Sequence, residues 1–225
     1  MARCSDRAME EPETLDALRR QLVPAIADAA AFDGWSMEAV VHAARMADVD
    51  PELAKYAFRD GPMAMIATWV GHVDARMAAT VSAESLTGLP IRERIRRLVM
   101  ARLDAVAGRE EALTRALAIM AMPQNAVAAT RLGWRSADAM WRLAGDTATD
   151  YNHYTKRAIL AGIYAATLHV FARDKSENKA ETRAFLDRRI EGIIRFEKAK
   201  GRMLGASEER FSVTRFLGRL RYPAR

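Results

Sequence analysis

Apolar residues recur every three to four positions along most of the chain, and the breaks in that rhythm fall at Gly, Pro and Asp. From Glu13 to Ala31 the series Leu15, Leu18, Leu22, Ile26 and Ala29 predicts an amphipathic helix, with Pro24 as a mild kink or a late start. Asp33-Gly34 ends it, and Ser36 is placed to cap a second helix, Met37 to Met46. Asp50 caps a third helix that opens on Pro51 and runs to about Phe58. Asp60-Gly61-Pro62 interrupts the pattern before a longer helix to about Val81. A tight turn between the second and third helices is the layout of a helix-turn-helix.

The remainder reads as a helical bundle. Ile91, Ile95, Leu98, Val99, Leu103 and Val106 form one stripe, with Arg92, Arg94, Arg96, Arg97 and Arg102 read as its flanks and Gly108 as its end. Helices are predicted over Glu110–Met122, Gln124–Ala144, Thr149–Arg173 and Glu177–Lys200, the last two joined as an antiparallel pair by Asp174-Lys175-Ser176. After a glycine-containing piece, Gly201–Ser207, a last helix is predicted over Glu208–Tyr222. It places Val213, Phe216, Leu217 and Leu220 on one face and Arg215 and Arg219 on the other, with Arg221 close by. That is the pattern of an interfacial membrane helix; the alternative is a terminal helix docked on its own body. Three units follow: a helix-turn-helix-like unit (13–81), a bundle (90–200), and a linker with an amphipathic helix (201–225).

Composition sharpens the fold class to all-α. Half of the 225 residues are apolar, 28% are charged, and Ala, Leu, Arg and Met dominate over strand-favouring runs. The single cysteine, Cys4, excludes an internal disulfide and fits a reducing compartment. The first fifteen residues carry no apolar signal-peptide core, and no apolar run reaches the length of a membrane span. The expectation is a bacterial-type chain without a transit peptide, cytoplasmic and peripheral to the inner membrane.

Charge is uneven. From Arg188 onward eleven Arg or Lys face four Glu, whereas the whole chain carries only +6. A basic end on a near-neutral body suits an anionic surface, or merely keeps the chain soluble. Between Asp33 and Asp60, Arg45, Lys55 and Arg59 stand against Asp33, Glu38, Asp48, Asp50, Glu52 and Asp60. Duplex affinity comes mainly from cations that neutralise phosphates, so no nucleic-acid partner is expected.

Catalytic chemistry is missing from the pattern. His42, His72, His153 and His169 form no paired ligand spacing, and no phosphate-binding or nucleophile motif occurs. A non-enzymatic protein is expected, with no catalytic residue, metal or cofactor. Met63-Ala-Met65 and Ile119-Met-Ala-Met122 can line an adaptable apolar pocket, although such runs are more often ordinary core. The stretch Asp138–Arg157 sets Trp141, Tyr151, His153 and Tyr154 beside Asp146, Asp150, Lys156 and Arg157. An almost wholly apolar run, Ala158–Phe171, follows it. Aromatics and charges joined to such a helix suggest a protein that handles a hydrophobic partner, while Lys156-Arg157 with Asp150 also reads as a structural ion-pair cluster.

The order of helices from Leu15 to Val81, with Gly34-Trp35 and Tyr56-Ala57-Phe58, resembles the N-terminal domain of the TetR repressor family. The block G-W-R-S-A-D-A-M-W-R-L-A-G-D-T-A-T-D-Y-N-H-Y-T-K-R-A-I-L-A-G-I-Y, Gly133 to Tyr164, resembles the signature of the Coq-nine family of ubiquinone biosynthesis. Thr182–Ile190 is similar to the same family. The resemblance implies a TetR-repressor-like helical fold and a homodimeric, non-enzymatic lipid-binding protein. Such a protein takes a polyprenylated quinone precursor from the membrane and presents it to the di-iron demethoxyubiquinone hydroxylase; an isoprenoid quinone, a phospholipid or another lipid is the implied ligand. It implies partner docking by Trp141, Asp150, Tyr151, His153, Tyr154, Lys156 and Arg157, with His153 standing where many members carry Trp. Met120, Met122, Ile159, Ile163 and Tyr164 are the candidate lipid contacts, and Val213, Arg215, Phe216, Leu217, Arg219, Leu220 and Arg221 the candidate membrane contacts. The alternative function is a TetR-family regulator binding DNA and a small apolar ligand.

Overall fold

The computed structural model describes residues 14–146 and 151–193, with the backbone alone at 151 and 152. Every regular element in these residues is helical. The order is α1 (Leu15–Asp33), α2 (Met37–Met46), α3 (Pro51–Ala57), α4 (Pro62–Thr80), α5 (Ala83–Leu86), α6 (Ile91–Val106), α7 (Glu110–Met120), α8 (Ala126–Leu143) and α9 (Tyr151–Arg173). A tenth helix, α10, covers 180–193.

Local chemistry sets most of the boundaries. Thr14 and Ser36 cap α1 and α2 by accepting from the N–H groups of Ala17 and Ala39. Asp50 accepts from Glu52 N–H ahead of Pro51, which opens α3. These side chains satisfy amide donors that a helix start leaves orphaned. The four-residue turn between α2 and α3 passes through Asp48 at φ 53°, a left-handed position that Asp tolerates better than most residues. Gly61, at φ 84°, ends the α3 turn before Pro62 opens α4. Pro24 lies within one continuous α1 and does not delay its start.

Three boundaries depart from the sequence pattern. The short α5, capped by Ser82 and anchored by buried Leu86, has too few residues to display a period. The helix expected from Gln124 begins at Ala126, because Pro123–Asn125 forms a 3₁₀ turn, and α7 stops at Met120 rather than Met122. The helix expected from Glu177 begins at 180, since Asn178 and Lys179 occupy left-handed conformations, φ 50° and 55°.

Helix α1 packs against α2, α3, α4 and α7, so it serves both halves of the molecule. Its buried face, Leu18, Leu22, Val23 and Ile26, meets Ala39, Val40, Ala43, Ala44, Ala54 and Phe58 in one core. Alanine at these positions lets helices approach closely, and fully burying a side chain such as Phe58 stabilises by about 1.5–3 kcal/mol. Trp35, at the turn after α1, lies 5.1 Å from Trp69 of α4 between ring centroids, and its Nε1 donates to Ala112 O of α7 at 3.0 Å. Behind this junction α4, α6, α7, α8 and α9 form the bundle that holds the site.

Candidate functional site

The most apolar candidate ligand space is a cavity of about 410 Å³ between α4, α6, α7, α8 and α9. Its wall is formed mainly by apolar side chains, among them Ile66, Trp69, Val73, Val106, Leu113 and Leu132. Ala121 and Thr130, at the end of α7 and in α8, are exposed lining residues and place a rim at that corner. Small residues keep the space open: Ala116, Ala129, Gly133, Ala161 and Ala165 all face it. The volume lies within the range of roughly 300–1,000 Å³ typical of small-molecule sites.

One polar cluster breaks the apolar lining. Arg102, 2% exposed, pairs through Nη1 with Asp74 and lies 4.8 Å above the Tyr164 ring. Ser136 Oγ donates to Asp74 Oδ2 at 3.3 Å. Arg102 was expected on the flank of the α6 stripe. It lies instead on the same face as Ile95, Leu98 and Val106, at spacings of seven, four and four residues, and that periodicity was readable in the sequence.

Of the candidate lipid contacts, Met120 and Tyr164 line this cavity. Ile159 and Ile163 do not; they face a separate groove of about 270 Å³ with Trp141, Lys156, Ile91 and Ile193. The α9 face turns with the helix, so residues five positions and one position before Tyr164 lie on a different face from it. Met122 lies in neither space; it is 42% exposed beside the cavity rim, because α7 has already ended. Trp69, Val73, Arg102 and Val106 were not among the candidates and form much of the inner wall.

The candidate docking residues split by burial. Tyr154 is 62% exposed, with its ring 6.0 Å from Trp134 and 5.1 Å from His153, so an aromatic patch reaches the surface. Arg157 points the other way and is 2% exposed. Its Nε donates to Asp138 at 2.6 Å, and its Nη1 donates to Asp146 at 3.1 Å and to His153 O. Lys156 adds a bond to Asp146 at 2.9 Å, and Trp141 Nε1 donates to Lys156 O at 3.1 Å. Arg157 is therefore a strut between α8 and α9: it is too buried for direct contact with a partner, and the structural ion-pair reading of Lys156-Arg157 holds with Asp138 and Asp146 as the described partners. Burial opposes charge on Asp146, but the bonds and charges of Lys156 and Arg157 prevail and hold its carboxyl below the usual range. Asp150, the Tyr151 side chain and the membrane candidates Val213, Arg215, Phe216, Leu217, Arg219, Leu220 and Arg221 lie outside the described residues.

The α9–α10 corner is built on Asp174. Its carboxylate accepts from the N–H and hydroxyl of Ser176 and from the N–H and hydroxyl of Thr182. Burial again opposes charge, yet these donors hold the group far below the ordinary carboxylate range. Asp187 of α10 pairs with Arg96 of α6 at 2.7 Å. Among the described residues, no group of three His, Cys, Asp or Glu converges as a metal site, and no helix is long and apolar enough to cross a membrane. On α3, Lys55 pairs with Glu52 at 2.8 Å, so one of the few cations near the helix-turn-helix is already matched.

A COQ9 family profile matches residues 126–197, which include α8, α9 and α10. The chain is similar to the rat protein "Ubiquinone biosynthesis protein COQ9, mitochondrial", 32% identical over 198 residues, covering 84% of this chain and 63% of that relative. It spans less than two thirds of that relative's length. It is also similar to "Ubiquinone biosynthesis protein COQ9-B, mitochondrial" of Xenopus laevis, 30% identical over 84% of this chain and 67% of that protein. Among solved structures, the TetR transcriptional regulator from Nitrosomonas europaea superposes with a TM-score of 0.61 at 26% identity, over 77% of this chain and 95% of that one. Both curated relatives are named mitochondrial, which overturns the expectation of a bacterial-type cytoplasmic chain. That expectation rested on the composition of the first fifteen residues, on the lack of a span-length apolar run and on the single cysteine. With the profile on the bundle and 30% identity across two thirds of a curated relative, the chain belongs to the COQ9 family of ubiquinone biosynthesis proteins.

Proposed function

We propose that this protein is a non-enzymatic carrier that takes a polyprenylated quinone precursor from a membrane and presents it to the di-iron demethoxyubiquinone hydroxylase. The observation that carries the reading is the apolar cavity of about 410 Å³ inside a ubiquinone biosynthesis protein. A long-tailed quinone is nearly insoluble, because each methylene costs about 0.8 kcal/mol to expose to water. A cavity with an exposed rim offers such a molecule a dry path. Its volume suits a head group and the first part of a tail, so the remaining tail stays with the membrane or along the apolar groove.

Tyr154, with Trp134 and His153, supplies the surface aromatic patch that this reading assigns to the hydroxylase. Phe216, Leu217 and Leu220 with Arg215, Arg219 and Arg221 are assigned to the membrane, and the working unit is a homodimer. Mass spectrometry of organic extracts from the purified protein tests the carrier. Isoprenoid quinone or phospholipid in stoichiometric amounts supports it, and an empty protein that also fails to take up added quinone ends it. Tyr154→Ala is expected to lower hydroxylase pull-down at least about fivefold with lipid content unchanged, since exposed aromatics dominate many interfaces. Full pull-down by that variant would remove Tyr154 from the interface.

The regulator reading draws on the TetR neighbour. Its would-be reading helix opens on Asp50, Pro51 and Glu52, which repel rather than neutralise phosphates. A salt-dependent gel shift on duplex DNA would restore it.

A further inference from the structure

A charged residue on the wall of a ligand cavity marks a place where the ligand itself is polar. Arg102 is nearly inaccessible, and the cavity around it is lined by Val73, Val106 and Leu132. Asp74 engages Nη1, Tyr164 covers one face of the guanidinium, and Ser136 bonds to Asp74. Nε nevertheless finds no acceptor among the described residues. Buried N–H groups are normally satisfied, and a hydrophobic residue of similar volume would fill this wall without that penalty. Each exception calls for an explanation, and at a cavity wall a polar group of a ligand supplies one.

We propose that Arg102, oriented by Asp74 and flanked by Ser136, is a recognition subsite for the carbonyl oxygen of an uncharged amphiphile whose apolar part lies along α7, α8 and α9. Charge selects this class. Arg102 and Asp74 cancel, so a carboxylate or phosphate would bring an uncompensated charge into an apolar enclosure. A carbonyl accepts a hydrogen bond without adding charge, and a guanidinium has five donors in a fixed fork, of which Asp74 cannot occupy all. The proposal rests on the carrier reading and deepens it, because it sets the direction of the ligand: polar head inward at α4 and α6, tail toward the rim at Ala121 and Thr130.

The test is calorimetric titration of the full chain with three probes of equal tail: a decyl-substituted benzoquinone, decylbenzene and decanoate. The quinone is expected to bind about tenfold more tightly than decylbenzene, the discrimination of one good buried hydrogen bond to a charged group. Arg102→Met/Asp74→Leu removes both charges together and is expected to bind the two probes alike. Arg102→Lys keeps the ion pair but loses the fork, and is expected to lose at least about threefold of the preference. If the double variant fails to fold, by loss of its helical circular dichroism, the lysine variant decides, and an unchanged preference in it overturns the subsite. Equal binding of quinone and decylbenzene by the unaltered protein overturns the subsite and leaves the carrier intact. Tightest binding of decanoate overturns the neutral-acceptor assignment. Failure of all three probes overturns the subsite and the carrier together.

Discussion

Alanine is abundant in both halves of the molecule and does opposite things in them. In the N-terminal unit Ala39, Ala43, Ala44, Ala54 and Ala57 sit opposite Leu18, Leu22, Ile26 and Phe58, and together they fill one apolar core. In the bundle Ala116, Ala129, Ala161 and Ala165 sit opposite one another around a cavity. The two regions also differ in what they bury. All the buried polar side chains among the described residues, Arg102, Ser136, Arg157, Thr167, Asp174 and Thr182, belong to the bundle. A small residue closes a gap when a large one faces it and leaves a gap when nothing does. The bundle adds buried polar struts and corners to its apolar contacts, whereas the N-terminal unit keeps its polar bonds nearer the surface, such as Arg19 Nε to Ala57 O at 2.7 Å.

The sharpest way to break this contrast is to remove a strut. Arg157→Met removes the buried cation between Asp138 and Asp146, which keep Arg142 and Lys156, so the cost should lie toward the lower end of the roughly 3–5 kcal/mol of a buried pair broken from one side. Thermal denaturation should register it as the largest single loss in the bundle. A loss below about 1 kcal/mol would show that the strut is dispensable.

Next comes the α9–α10 corner. Replacing Asp174 by Asn leaves donors of Ser176 and Thr182 poorly matched, and on the order of 2 kcal/mol should be lost at neutral pH. The pH sign follows from the depressed carboxyl of Asp174. Its stabilisation is fully present above the unfolded value near 3.9 and is lost as pH falls below that value toward the folded one. Urea midpoints at neutral pH and near pH 3 should therefore differ more in the unaltered protein than in Asp174→Asn. Equal acid sensitivity would remove Asp174 from the account.

The alanines themselves give a paired test of smaller size. Ala44→Leu overpacks the N-terminal core and should cost about 1–3 kcal/mol. Ala129→Leu projects into the cavity and should be neutral or stabilise by up to about 1 kcal/mol, while lowering uptake of the decyl-substituted benzoquinone. Equal destabilisation by both would erase the distinction between the filled and the open region. The smallest expected loss is that of Trp35→Phe, which removes the Nε1 bond to Ala112 O between the halves and should cost about 1 kcal/mol. An unchanged denaturation midpoint would mean that aromatic packing with Trp69 alone joins them.

The helices were legible in the sequence because their signals are local. Ser36, Asp50, Pro51, Gly61 and Pro62 stand where caps and breaks require them, and the structure uses each one there. The cavity was only partly legible, since it depends on which faces of five helices meet. Of the candidate lipid contacts Met120 and Tyr164 line it, Ile159 and Ile163 line the neighbouring groove, and Met122 lines neither. Arg102 was misread because charge was taken as a sign of exposure; Arg157, placed in the docking set by the family resemblance, instead follows the ion-pair reading, with Asp138 and Asp146 as partners. Its spacing agrees: Arg157, Leu160, Tyr164, Thr167 and Phe171 are all buried at intervals of three and four residues. The family, in contrast, was carried by a contiguous block, and such blocks survive without knowledge of the fold.

The corner at Asp174 also bears on the order of events during folding. Its partners Ser176 and Thr182 lie within eight residues along the chain, whereas Trp35 must find Ala112 across 77. Closing a loop of about ten residues takes on the order of 10–100 ns, and longer loops start from a larger entropy loss. The α9–α10 hairpin can therefore form and reform many times before the two halves meet. It gives this part of the chain a ready shape onto which the slower, longer-range contacts assemble.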